Sequence, residues 1–301
     1  MLRRSVSREL GSIEAAIYRW LVRPDAPKVL TLADTKKIVA SKNNSLSHSM
    51  SSLRSKGILR KIGKGIYLNS STGVLPKVPD VIPWVFRGSK YYLGLNAIAN
   101  HWELSPQIPY SYQAIYSPRS DTEQKRITNW CSLLIKFERE LGGLLIPVAS
   151  RSSTGAGLSQ SIMDGSQLPI SSLERTIVDA VIYTREIGGA GEALLWTRAA
   201  LVRRNVDYVE LDKIVGRVAT KLYSVSARLG FLLETAMDDK QVVERRSALD
   251  RFLQKLKKNA KRSRSTFNWG SEKTPSEYFE NWHLHVSKSY LKQLKETSTF
   301  E

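Results

Sequence analysis

Between residues 8 and 68 the spacing of apolar residues changes from helical to strand-like, and this order constrains the fold more than any other feature. Leu10, Ile13, Ile17 and Leu21 recur at helical intervals, with Ala16 and Trp20 beside them, and Pro24 and Pro27 follow. Thr31-Leu32-Ala33-Asp34 has the pattern of a capping box and predicts a short helix to about Ala40. The polar stretch Ser41–Ser45 predicts a turn, with Ser45 as the N-cap of a third helix reaching Lys56. In that helix Leu46, Met50 and Leu53 form one buried stripe, opposite Ser47, His48, Ser51, Ser52 and Ser55. Gly57 stops it. Ile58–Ile62 and Ile66–Leu68 then flank Gly63-Lys64-Gly65, the pattern of a β-hairpin.

Helix, helix, turn, helix and basic hairpin is the order of a winged helix-turn-helix. A polar third helix can enter the major groove of DNA with its first residues nearest the base edges. The candidate DNA contacts are therefore Lys42, Asn43, Asn44, Ser45, Ser47, His48, Ser51 and Ser52. Arg60, Lys61 and Lys64 on the hairpin would reach backbone phosphates, which position a protein without specifying sequence. The face is rich in serine and poor in arginine and glutamine, so base readout is expected to be modest. His48 is isolated, which suits a phosphate or solvent contact better than a ligand role. The alternative for the same fold is a protein-docking module.

Charge supports the polyanion. The net charge is +18, and it is concentrated. Residues 1–70 carry 14 basic and 4 acidic residues, residues 240–264 carry 10 and 2, and the rest of the chain carries 22 of each. Such patches raise the local density of a polyanion and speed its capture. The 301 residues predict two domains: 1–70, then a Ser/Gly/Pro-rich linker over 71–84, then 85–301. The lone Cys131 excludes an internal disulfide and a cysteine-based zinc site. No apolar run approaches the roughly 18 residues of a membrane span, and the first residues lack a secretory pattern. The expectation is a cytoplasmic protein without membrane partners.

In the larger domain, Tyr91–Trp102 reads as a buried helix. Strands are expected at Tyr112–Tyr116, near Leu133–Phe137 and Leu144–Val148, and around Trp282, with a loop over residues 150–167. Helices are expected from Ser172 and over about 189–203, 208–220 and 225–237. Arg175 and Asp179, four residues apart, read as an ordinary helix-surface ion pair. In the second basic segment, 240–264, Val242, Leu249, Phe252, Leu253 and Leu256 keep helical spacing. Arg245, Arg246, Arg251, Lys255 and Lys258 around that stripe are candidates for binding an acidic partner or nucleic acid, against a plain solvated face.

The order of several of these pieces resembles the AbiEi family, the antitoxins of AbiE type IV toxin–antitoxin systems. The matching pieces are Gly65-Ile66-Tyr67, the segment Tyr92–Pro109 with Gln107-Ile108-Pro109, the run Ser172-Leu173-Glu174-Arg175-Thr176-Ile177-Val178-Asp179-Ala180, and Arg228-Leu229-Gly230-Phe231-Leu232-Leu233-Glu234. The resemblance runs over roughly residues 10–237. The resemblance implies a winged helix-turn-helix that represses its own operon at double-stranded DNA with inverted repeats. It also implies a mixed α/β antitoxin domain counteracting a nucleotidyltransferase-type toxin. The overall expectation is an α+β protein.

Catalytic motifs are sparse. There is no Walker loop and no Gly-x-Gly-x-x-Gly, and Gly155-Ala156-Gly157 stops short of it. The Asp-x-Asp pair of a nucleotidyltransferase is absent, so the chain does not read as the toxin. His283 and His285 alternate on an expected strand and share a face, without a third ligand, so no metal and no cofactor is expected. The reading is a non-enzymatic repressor and antitoxin. Its alternatives are a stand-alone winged-helix regulator with a ligand- or protein-sensing domain, and a nuclease whose carboxylates gather only in the fold.

Overall fold

The structure, a computed structural model, describes residues 10–39, 43–150, 155–203, 206–218, 222–237, 246–262, 267–270 and 275–299. It is a mixed α+β protein. The chain divides into two compact units, one drawn from 1–88, 119–146 and 162–166, the other from 89–118, 147–161 and 167–301.

The first unit opens with α1 (Ser12–Leu21) and β1 (Val29–Thr31). Thr31 caps α2 (Leu32–Lys36) through the reciprocal pair its sequence predicts. The Asp34 N–H donates to Thr31 Oγ1 at 3.2 Å, and the Thr31 N–H donates to Asp34 Oδ2 at 2.8 Å. Helix α2 ends at Lys36, before the expected Ala40, which lies outside the described residues. Helix α3 (Asn43–Ser55) starts two residues ahead of Ser45. Ser45 is therefore inside the first turn, where its carbonyl accepts the Ser49 hydroxyl at 2.9 Å, and is not the cap. Leu46, Met50 and Leu53 are buried together with Ile17, Leu21, Leu30, Ile58, Leu59 and Tyr67. Strands β2 (Leu59–Gly63) and β3 (Ile66–Asn69) form the expected hairpin, in a sheet ordered β1-β3-β2. Its two-residue connection uses Gly65 at φ +69°, a conformation glycine adopts at no steric cost.

The expected linker contains α4 (Val78–Val85), with Val78, Val81, Ile82 and Val85 buried. Pro79 sits in its first turn, where a missing N–H leaves no bond unmade, so a proline that reads as linker punctuation is helix-compatible. Tyr91–Trp102 also differs from expectation. It divides into β4 (Lys90–Gly94) and α5 (Asn96–His101), hinged at Leu95 with φ +60°. A short apolar run does not reveal its period.

Strand β5 (Ser111–Ser117) pairs antiparallel with β4, Tyr92 opposite Ile115. The chain then returns to the first unit with α6 (Asp121–Leu134), a 3₁₀ turn over Ile135–Phe137 and α7 (Glu138–Leu141). The expected strand at Leu133–Phe137 is thus helical. Trp130 of α6 meets Trp84 edge-on with centroids 4.5 Å apart, and Leu133 lies against Gly63 of the hairpin. Strands β6 (Leu144–Ala149), β7 (Leu158–Met163) and β8 (Ser166–Ser171) complete a five-stranded sheet ordered β6-β5-β4-β8-β7, with β8 parallel to β4. Strand β7 lies in the stretch expected as a loop.

The second unit continues with α8 (Leu173–Ile182), α9 (Ala190–Arg203), α10 (Tyr208–Val218), α11 (Leu222–Ala236) and α12 (Arg246–Lys261), near their expected positions. It closes with β9 (Phe267–Trp269), β10 (Ser276–Phe279), β11 (Leu284–Ser287) and α13 (Lys288–Thr299), the strands ordered β10-β11-β9. Trp282 is not in a strand. It ends a 3₁₀ turn, and His283 follows at φ +48°, so the two histidines do not share a strand face. The Trp282 ring covers Gly230 of α11 so closely that an added Cβ would stand 2.0 Å from it.

Arg175 and Asp179 are not on a surface. Both side chains are fully buried, with Arg175 Nε donating to Asp179 Oδ1 at 2.9 Å. Arg175 Nη2 donates to the Tyr92 hydroxyl at 2.7 Å, Nη1 donates to the Ala156 carbonyl at 2.9 Å, and the Tyr92 hydroxyl donates to Asp179 Oδ2 at 2.9 Å. Burial, and the Asp179 charge beside it, push the Tyr92 hydroxyl well above its usual range.

Arg175→Met is expected to destabilise the protein by about 3–5 kcal/mol, because it strands a buried carboxylate; urea unfolding checks this. Gly230→Ala tests the packing. At an open helical position it would stabilise by up to about 1 kcal/mol. Here a loss of about 1–3 kcal/mol is expected from the clash with Trp282.

Candidate nucleic-acid interface

The buried stripe of α3 decides which of its side chains face water. The helix packs against α1, α2 and β2. Ser45, Ser47, His48 and Ser51 are exposed, and Ser52 is partly buried. The side chains of Asn43 and Asn44 lie outside the described residues, as does the whole of Lys42. Ser52 has another task. Its hydroxyl hydrogen-bonds Glu14, which also accepts from Lys56 Nζ at 2.8 Å. The Lys56 ammonium, aided by Ser52, holds the Glu14 carboxyl below the usual carboxylate range against the opposing effect of burial. This cluster ties the C-terminal end of α3 to α1. Arg54 was not among the sequence candidates, yet it is exposed, and with Ser47 and Ser51 it completes a stripe at intervals of four and three residues.

The hairpin cations separate in the same way. Arg60 Nη2 meets Glu140 Oε1 at 2.5 Å, and the guanidinium lies over the Phe137 ring, 5.9 Å from its centroid. Its charge is therefore already answered within the unit. Lys61 and Lys64 are exposed and have no ion-pair partner among the described residues. They flank Gly63 at the tip of the hairpin, where a bulge separates Lys61 from Gly63.

The second basic segment docks by its apolar side. Leu249, Phe252, Leu253, Leu256 and Ala260 of α12 are buried. Two of its lysines are used internally. Lys255 pairs with Asp212, while Lys257 pairs with Glu234 at 2.7 Å and lies over the Trp282 ring. Glu234 also accepts from Trp282 Nε1 at 2.6 Å. Arg251 is exposed, with Nε donating to the Ser247 carbonyl at 3.2 Å, and Lys258 is exposed. Arg245 and Val242 lie outside the described residues, as does the side chain of Arg246, the first residue of α12.

Among the described residues no group of histidine, cysteine and carboxylate side chains is arranged to hold a metal ion. No helix there is long and apolar enough to cross a membrane. Cys131 is buried, and burial pushes its thiol up to about 12, far from a reactive thiolate.

Glu14→Gln is expected to cost under about 1 kcal/mol at pH 7. Because the folded carboxyl titrates below its unfolded value, its stabilisation is present above the unfolded pKa and fades as pH falls through the folded one. Thermal melts of parent and variant should therefore converge in acid.

No protein-family model matches the chain, and no protein of curated function matches it in sequence. In fold it is similar to the RV2827C protein from Mycobacterium tuberculosis, whose crystal structure aligns with a TM-score of 0.61 at 13% identity over 96% of each chain. At that identity the likeness concerns the fold alone.

Proposed function

We propose that the chain is a DNA-binding transcriptional autorepressor, and that it also acts as an antitoxin against a nucleotidyltransferase-type toxin. In this reading the first unit is a winged helix-turn-helix. One observation carries it. Helix α3 buries a complete apolar stripe, leaves Ser47, His48, Ser51 and Arg54 in water, and is followed by a hairpin whose Lys61 and Lys64 have no ion-pair partner among the described residues. Helix α3 enters the major groove, where its hydroxyls and Arg54 reach base edges. Lys61 and Lys64 contact flanking phosphates and make affinity depend on salt. The target is the operator of its own gene, with inverted repeats. The protein works in the cytoplasm by binding, without catalysis.

The antitoxin half rests on the resemblance to the AbiEi family. Two of the pieces that carry it lie in α8 and α11, around the buried Arg175–Asp179 pair and at Gly230.

Binding to DNA upstream of the gene, compared with scrambled DNA across a salt series, tests the repressor. A preference on the order of 10³-fold is expected, and equal binding to both overturns it. Lys61→Ala with Lys64→Ala should weaken binding to all sequences and reduce the salt slope by roughly 2. An unchanged slope removes the hairpin from the interface. Co-expression with a nucleotidyltransferase encoded beside the gene should restore growth; persistent toxicity overturns the antitoxin assignment.

A further inference from the structure

Inside the second unit, far in sequence from α3, residues from α8, the segment after it, α11, β9 and α13 surround a polar cavity of about 240 Å³. This is below the roughly 300–1,000 Å³ of a typical small-molecule site, so it suits a small ion or the end group of something larger. Thr184, Arg185, Arg228, Asn268, Trp269 and Tyr290 line it. Its walls are fixed. Trp269 Nε1 donates to Thr184 Oγ1 at 3.1 Å, and Thr184 donates onward to the Ala180 carbonyl at 2.9 Å. The Trp269 and Tyr290 rings meet edge to face at 5.6 Å. Arg228 Nη2 donates to the Asn268 carbonyl at 2.6 Å, which sets the plane of its guanidinium. Arg185 stands exposed at the mouth and hydrogen-bonds the Tyr290 hydroxyl.

Both guanidiniums act on that hydroxyl, and so does the Glu186 carboxylate. The two guanidiniums therefore stand at the wall of the cavity, near the Tyr290 hydroxyl. Guanidinium is weakly hydrated and planar, and its fork matches the oxygens of a phosphate. We propose that this cavity binds a phosphomonoester, with Arg185 and Arg228 on its oxygens and the Tyr290 hydroxyl donating to a third. A phosphomonoester presents three terminal oxygens to the two forks and the hydroxyl, where a carboxylate presents two. The proposal does not depend on the DNA-binding reading.

The test is calorimetric titration of the full chain with inorganic phosphate, a nucleoside 5′-monophosphate and the unphosphorylated nucleoside. Saturable binding of both phosphates, with none of the nucleoside, is expected. A monophosphate tighter than inorganic phosphate identifies an attached phosphate as the ligand; the reverse order identifies the free ion. Arg185→Gln removes an exposed cation and should weaken binding about tenfold or more. Tyr290→Phe keeps the ring and should also weaken it. Lys61→Ala with Lys64→Ala should leave it unchanged. The proposal fails if millimolar phosphate gives no saturation, if acetate competes as well as phosphate, if Arg185→Gln binds like the parent with an unchanged melt, or if the hairpin variant loses the binding.

Discussion

Arg175 and Asp179 form an ion pair that no water reaches, and α8 can occupy the middle of the second unit because every polar atom of that pair finds a partner. Taking both charges out of water costs several kcal/mol each, and only near-complete hydrogen bonding offsets it. The partners come from three places: Tyr92 on β4, Ala156 ahead of β7, and α8 itself. The pair therefore fixes α8 against the sheet in one register, since a one-residue slip would strand a charge in the core. Apolar contacts to α9, α10 and α11 then fill the remaining sides of the helix.

Local signals were legible in the sequence, and distant ones were not. The Thr31 capping box and the Leu46–Met50–Leu53 stripe depend on neighbours within one or two turns, and both are present. The i, i+4 spacing of Arg175 and Asp179 was also legible, but their burial was not, because the Tyr92 hydroxyl that completes the network is more than eighty residues away. The same distance hid the pairing of Arg60 with Glu140. At the candidate interface, periodicity identified the wet serines, while Ser52 turned out to be held by Glu14. The cavity lined by Arg185, Arg228 and Tyr290 draws on residues spread over more than a hundred positions, so no contiguous motif marks it.

Counting cations overstates the charge the protein presents. Arg60, Lys56, Lys255 and Lys257 are each bound to a carboxylate of their own unit. Arg54, Lys61, Lys64, Arg251 and Lys258 are exposed and lie outside those pairs. For a polyanion, where the exposed cations stand matters as well as their number.

The alternation of the chain between its two units governs how it can be made. Helix α6 belongs to the first unit, where Trp130 meets Trp84 and Leu133 lies on Gly63, yet β4, α5 and β5 of the second unit are synthesised before it. A nascent chain that has just released the hairpin still has Trp84 uncovered and must hold it so through some forty further residues. Closure of the first unit is a late, non-local event, and the early strands of the second unit emerge while that apolar surface is open, which makes this interval the one in which a chaperone has most to shield.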